Sequence, residues 1–133
     1  MTKTIEQSVT FNAPPETLYE MYMDTKKHSA ATGFPAKLGR KVGSAFTAFG
    51  GQLEGRTLFL VPGKTVVQVW RSIGWRKTDA DSILVLNFRN EGSGCRVDLA
   101  HVNVPEHDHQ GVTKGWAKFY WKPWQAYLKA MSK

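Results

Sequence analysis

Between Gly115 and Met131 the chain reads GWAKFYWKPWQAYLKAM, with six aromatic rings and a proline in seventeen residues. As an α-helix with about 3.6 residues per turn, this segment has two faces. Measured from Trp116, the side chains of Phe119, Tyr120, Pro123, Trp124, Tyr127 and Met131 fall within about 80° on either side. Lys114, Lys118, Lys122, Gln125 and Lys129 fall opposite, and Trp121 and Leu128 lie near the boundary. A helix this rich in rings on one face needs a broad apolar layer to cover it. Pro123 has no amide hydrogen and its ring clashes with the carbonyl of Phe119, so the helix is expected to kink or restart near Trp121.

The rest of the chain supplies such a layer. Thr4 to Phe11 alternates, with Ile5, Val9 and Phe11 on one side and Gln7 as the one polar residue among them, which is the period of a half-buried strand. Pro14 and Pro15 then fit a helix start, and Glu16 suits the positive end of its dipole. Leu18, Met21 and Tyr22 form its apolar stripe. A second short helix is expected from Thr25 to Thr32, stopped by Gly33 and Pro35, and its polarity marks it as a cover. Extended runs follow at Phe46 to Phe49, Gln52 to Val61, Thr65 to Ile73, Asp81 to Arg89 and Cys95 to Val104, separated by glycine-rich turns. In the last run Cys95, Val97, Leu99, His101 and Asn103 are expected on one face, with Arg96, Asp98, Ala100, Val102 and Val104 on the other. Hairpin-linked strands make an antiparallel sheet, one face of which must be covered, and the aromatic helix is the obvious cover.

A chain of 133 residues is about one ordinary domain, and no linker or repeat divides 1–133. With 41% hydrophobic and 22% charged residues it reads as globular, and no apolar run reaches membrane length. The start MTKTIEQSVTF lacks the apolar stretch of a secretion signal, so a cytoplasmic location is expected. Cys95 stands alone and forms no internal disulfide. The net charge of +7 favours acidic partners, although the basic residues are dispersed as on an ordinary solvated surface.

The order of elements and several segments resemble the activator of heat-shock protein 90 ATPase homologue family, a branch of the START-like (SRPBCC) superfamily. The matching segments are TKTIEQSVTFNAPPETLYEMY, VGSAF, GGQLEG, LVPGKTVVQVWRSIGW and VDLAHVNVP, followed by the Gly115–Trp116 pair at the head of the last helix. The resemblance is nearest to the C-terminal domain of the eukaryotic co-chaperone. It implies an α+β helix-grip fold: a curved antiparallel sheet of about six strands wrapped on a long C-terminal helix, with one or two short helices after the first strand. It also implies a cavity between sheet and helix, where members of the wider superfamily hold sterols, lipids, hormones or polyketides.

With the inward face set by that resemblance, Val66, Gln68 and Trp70 of one strand and Val97, Leu99 and His101 of another point at Trp116, Tyr120 and Tyr127. Ligand-binding residues are therefore expected at Gln68, Trp70, Val97, Leu99, His101, Trp116, Tyr120 and Tyr127. Aromatic walls offer burial at roughly 25 cal/mol per Å², and a few polar groups orient the guest. The same residues are equally a filled core. A small hydrophobic molecule is the first expected partner. The second is a heat-shock protein 90-type chaperone, met by the basic surface of Lys114, Lys118 and Lys122.

Other chemistries find little support in the sequence. His101, His107 and His109 with Glu106 and Asp108 suggest a metal site, but His107 and His109 are two apart and share no helix face, and the two acids suit the start of the last helix. No metal or other cofactor is expected. Ser44, Ser72, Ser82 and Ser93 lie in no nucleophile-elbow pattern, and Cys95 reads as a small buried residue, so no catalytic residue is assigned. Nucleic acid is not expected either, because the lysine row and the aromatics occupy opposite faces of one helix.

Overall fold

The computed structural model describes residues 1–132. The first strand, β1 (Thr2–Phe11), leads into α1 (Pro15–Met23) and α2 (Thr25–Thr32). Six more strands follow: β2 (Lys37–Leu38), β3 (Ala45–Ala48), β4 (Leu53–Val61), β5 (Thr65–Ser72), β6 (Ser82–Glu91) and β7 (Gly94–Pro105). The chain ends in a long helix made of α3 (His109–Trp116), a wide turn (Ala117–Trp121) and α4 (Lys122–Met131). All strands join one antiparallel sheet in the order β1-β7-β6-β5-β4-β3-β2, so the first strand closes beside the last and the meander runs outward from there. This is the helix-grip α+β architecture. The two-residue β2 is the strand that sequence patterning does not show. Among the described residues, no helix is long and apolar enough to cross a membrane.

The short helices begin and end as their sequence dictates. Pro15 opens α1, where a missing amide costs nothing, and Asp24 closes it. That aspartate also starts α2: its carboxylate accepts from the Lys27 amide at 3.0 Å. Gly33 ends α2 in the left-handed conformation, with φ of 82°. Although α2 was expected to be only a cover, His28, Ala31 and Thr32 on it are buried, because it packs against α4.

The inner face of the sheet carries Val66, Gln68 and Trp70 on β5, Ser82, Leu84, Leu86 and Phe88 on β6, and Cys95, Val97, Leu99 and His101 on β7, all buried. Alternation fails on β4, where the pairing with β5 slips between Thr57 and Phe59, and again near the end of β7. Asn103 takes a left-handed φ of 67°, and the pairing with β1 slips between Ile5↔His101 and Lys3↔Val104. The bulge absorbs one residue, so Val104 turns inward and is fully buried, contrary to a strict period of two.

The C-terminal helix departs from uniform α geometry at the wide turn. There the Lys122 amide bonds to the Ala117 carbonyl, five residues back, and Pro123 falls in the first turn of the restarted α4, the part of a helix where proline is tolerated. The turn holds one residue more than an α turn, and this shifts the phase of everything after it. Trp121, at the boundary of an ideal α-helix, is carried inward to 4% exposure, while Phe119 is left 38% exposed and Met131 stands out in solvent. Trp116 and Trp121, five apart, consequently stack at 5.5 Å between ring centroids. Trp124 sits at the centre of the packing, against Phe11, Tyr22, Tyr120 and Trp121.

Gln7 explains why a polar residue interrupts the apolar side of β1. Its Nε2 donates to the Thr113 carbonyl at 3.1 Å, and its Oε1 accepts from the Trp121 indole at 2.7 Å. One side chain thereby pins the strand to the helix before and after Trp116.

At the other side of the sheet, β4 approaches β5 closely at Gly55. A Cβ there would stand 1.8 Å from the Val69 carbonyl oxygen and 2.6 Å from the Phe46 ring. Gly55→Ala is therefore expected to cost about 3 kcal/mol or more and to lower the thermal midpoint by at least 10 °C, as a rough scale for a domain this size. Calorimetry on the variant checks this; a midpoint within a few degrees of the wild type would contradict the close approach.

Candidate functional site

A half-open cavity of about 380 Å³ lies where the first turns of the C-terminal helix cross the ends of β4 and β5. Gly111, Val112, Gly115, Trp116, Phe119 and Tyr120 form the helix wall, and Gln52, Leu53, Trp70 and Ser72 the sheet wall. Two glycines four residues apart leave the helix backbone bare on this side. A Cβ at Gly115 would meet nothing closer than the Phe119 ring at 3.7 Å, so the space beside it is open.

Three phenylalanines make the rim. Phe34 follows α2, Phe49 follows β3, and Phe119 lies in the wide turn; their ring centroids are 5.4 to 6.4 Å apart. Phe49, Gly50 and Gly51 are three consecutive left-handed residues, with φ of 54°, 66° and 94°. Such a conformation is costly for a bulky side chain, and here it aims the Phe49 ring at Tyr120, 5.4 Å away. The Gly50 amide donates to the Pro35 carbonyl at 3.0 Å, which ties the two phenylalanine-bearing turns together.

The floor of the cavity is held by the segment between β5 and β6. Arg71 donates to the Asp79 carbonyl at 2.7 Å, to the Arg76 carbonyl, and to the Asp81 carboxylate at 3.1 Å. Asp79 accepts from the Arg76 amide and pairs with His107, each at 2.7 Å, and the His107 bond holds its carboxyl below the usual range. Trp75, packed 5.6 Å from Trp70, donates its indole N–H to Asp108 Oδ2 at 2.8 Å. Asp108 occupies the N-cap position of α3, yet its side chain makes no capping bond. The reading of Asp108 as a helix cap is thus corrected: its carboxylate is bonded to Trp75 and lines the cavity.

Of the eight residues expected to meet a ligand, Trp70, Trp116 and Tyr120 line this cavity. Gln68, Val97, Leu99 and His101 face the same interior but lie in filled core, and Tyr127 is half-buried farther along the helix. The polar groups of Gln68, His101, Trp116 and Tyr120 are consumed by internal bonds, whereas the buried Trp70 indole N–H has no partner among the described residues. Tyr22 Oη donates to Gln68 Oε1 at 2.6 Å, and Gln68 Nε2 donates to Thr57 Oγ1 at 3.3 Å. The Trp116 indole donates to His101 Nδ1 at 3.1 Å, which leaves the proton of that ring on Nε2, facing Ser82 Oγ at 2.8 Å. The Ser82 hydroxyl donates its own hydrogen bond to the Trp70 carbonyl at 2.7 Å. A second thread runs from Tyr120 Oη to His28 Nε2 at 3.0 Å, and from His28 Nδ1 to the Tyr22 carbonyl at 2.7 Å. Burial pushes the pKa of His101 down to about 3 and that of His28 down to about 4, the latter against a smaller opposing pull from the Tyr22 carbonyl. Both rings are neutral struts at pH 7.

The sequence reading missed His28, and it missed Phe34, Phe49, Gln52, Ser72 and Asp108 as lining residues. Isolated aromatics beside Gly33 and Gly50, and glycines spaced by four at the head of an aromatic helix, are the signals that were available. Lys114, Lys118 and Lys122 are exposed, and none forms an ion pair among the described residues. The Lys118 ammonium lies 5.3 Å from the Phe119 ring centroid. Cys95 is buried, and burial pushes its pKa up to about 11.

A curved sheet gripping a C-terminal helix, with a cavity at their crossing, defines a START-like domain. Residues 12–129 match the family model described as activator of Hsp90 ATPase homolog 1-like protein, and the chain belongs to that family. It is 25% identical over 118 residues to an activator of 90 kDa heat shock protein ATPase homolog from Dictyostelium discoideum, covering 88% of this chain and 30% of that protein. Against the human activator of 90 kDa heat shock protein ATPase homolog 1 the identity is 26% over 113 residues, 85% of this chain and 33% of the relative. The chain thus spans about a third of the length of these relatives. In structure it is similar to an HSP90 activator from Plasmodium falciparum, with a TM-score of 0.85, 21% identity and coverage of 95% of this chain and 96% of the other. A protein from Chromobacterium violaceum superposes with a TM-score of 0.73 at 27% identity, covering 92% and 95%.

The neutral histidines set the acid response of the fold. Unfolded, each ring takes up a proton near pH 6.5; folded, it refuses one until about pH 4 for His28 and about pH 3 for His101. Their contribution is full above about pH 6.5 and is lost as pH falls toward the folded values, at up to about 1.4 kcal/mol per pH unit for each ring. The thermal midpoint is expected to drop steadily from pH 7 to pH 5. His101→Gln should be less stable at pH 7 but show a shallower drop; an unchanged slope would mean that His101 takes up its proton equally in the native and unfolded states.

Proposed function

We propose that this domain binds a small, ring-bearing apolar molecule in the cavity between β4, β5 and the C-terminal helix, and performs no chemistry on it. The observation that carries the reading is the cavity itself: about 380 Å³, walled by Trp70, Trp116 and Tyr120 and rimmed by Phe34, Phe49 and Phe119. A space of about 380 Å³ lies within the range of small-molecule sites and suits a compact guest of a few rings. Strain at Phe49 supports a functional mouth, because a left-handed phenylalanine persists only where its surroundings enforce it. A non-enzymatic role is supported by His101, both of whose ring nitrogens are engaged in hydrogen bonds.

Filling the cavity is the direct test. In Gly115→Leu the first carbon is tolerated and the branched end occupies the open space, so the variant should fold and lose ligand-induced thermal stabilisation at least tenfold in apparent affinity. Gly115→Ala should bind as the wild type does. Equal binding by the leucine variant would place the ligand elsewhere.

A second reading is favoured by the names of the relatives, which are activators of the 90 kDa heat shock protein ATPase. In it the domain is a cytoplasmic chaperone-interaction module, and the exposed row Lys114, Lys118 and Lys122 meets an acidic face of the chaperone. Lys118→Glu with Lys122→Glu should weaken a salt-sensitive association with the host chaperone at least fivefold, while Gly115→Leu leaves it unchanged. The two variants acting in the opposite pattern would tie chaperone contact to the cavity mouth instead.

A further inference from the structure

We propose that the guest of this cavity is an organic cation, a protonated amine carried on an aromatic or other apolar ring; the inference rests on the ligand-binding reading above. Although the chain carries 18 lysines and arginines against 11 acids, no basic residue lines the cavity among the described residues, and one carboxylate, Asp108, does. That carboxylate is held in place but not neutralised. Its Oδ2 accepts the Trp75 indole N–H at 2.8 Å, while no hydrogen bond reaches Oδ1 among the described residues. It stands at the start of α3 without capping it. Gly111 is the reason that Oδ1 stays uncovered, because a Cβ on that residue would lie 2.7 Å from this oxygen. Around it stand electron-rich ring faces, whose quadrupoles attract a cation positioned over them. Lys118 already illustrates this at the rim, with its ammonium 5.3 Å from the Phe119 centroid.

Two charges oppose a cationic guest: one is a helix end whose first turn lines the cavity through Gly111 and Val112, and the other stands at the rim. The positive end of the α3 dipole weakens the field of Asp108 by a fraction of a charge, and Lys118 is exposed at the rim. The guanidinium of Arg71 is committed to Asp81 and to the carbonyls of Asp79 and Arg76. The remaining polar lining is uncharged: Ser72, whose oxygen accepts the Gly74 amide at 3.3 Å, Gln52, the bonded Tyr120 hydroxyl, and Trp70, whose buried indole N–H has no partner among the described residues. An ammonium group at Oδ1 with its ring among Trp70, Trp116 and Tyr120 satisfies both halves of the cavity; a carboxylate in the same place would face Asp108 with no counter-charge.

Three probes of one shape separate this from the parent reading: naphthylmethylamine, naphthylmethanol and naphthoate, each titrated calorimetrically into the wild type. The amine should bind at least tenfold tighter than the alcohol, and naphthoate should be weakest. Asp108→Asn retains an acceptor for Trp75 and should bring amine and alcohol within about twofold of each other. Naphthoate binding as tightly as the amine, or an amine preference that survives in Asp108→Asn, overturns the cationic assignment while leaving a ligand cavity in place. No binding of any probe by the wild type overturns the cavity reading and this one with it. Should the variant prove unfolded, the wild-type ranking of the three probes decides alone.

Discussion

Pro123 has no hydrogen to give to the helix ladder, and the closure of the sheet is arranged around that lack. The wide turn at Ala117–Trp121 lets the helix restart with proline in its first turn, where proline is tolerated. Its geometric effect exceeds its size. One additional residue in the turn rotates α4 so that Trp121 joins Trp116 and Trp124 in the interior, and Trp121 then reaches Gln7 on β1. The same rotation leaves Phe119 at the surface, beside Phe34 and Phe49. A single backbone irregularity thus both seats the helix and supplies one side of the cavity mouth.

Polar atoms on the inner face divide the interior into a solid part and a hollow part. Gln68, Thr57, Tyr22, His28 and Tyr120 form one connected set, and Trp116, His101 and Ser82 another. Each buried group in these sets finds a partner, and leaving one unpaired costs about 1–3 kcal/mol. These sets fix side chains rigidly across the middle of the sheet, so space opens only beyond them, where two glycines replace side chains on the helix. The cavity is displaced toward the ends of β4 and β5 for this reason.

Much of the fold was legible because its signals are periodic. Strand alternation on β1, β5 and β6, the Pro15 and Gly33 helix signals, and the two faces of the last helix each need only local sequence. The failures occur where one residue breaks the period. Asn103 turns Val104 inward with no spacing signature to read beforehand; Pro123 did announce a restart near Trp121, but not the extra residue that turns Trp121 inward. The site was less legible for a different reason. Its walls come from turns that meet only in the folded chain, so Phe34 and Phe49 looked like isolated loop aromatics, and Asp108 looked like an ordinary helix cap. Gln68 and His101 had the opposite fate: their inward direction was implied by the family resemblance, but direction does not reveal whether a polar group is free or already bonded.

The single thiol of the chain lies at the opposite end of the inner face from these polar sets, on the first turn of β7 opposite Phe11. Buried and held mainly as the protonated thiol by a pKa near 11, Cys95 is inert toward oxidants and alkylating reagents so long as the core stays packed over it. Its chemistry therefore keeps time for that end of the inner face. Modification can proceed only as often as the packing over the inner face opens there, which gives the molecule an internal record of opening that needs no added label.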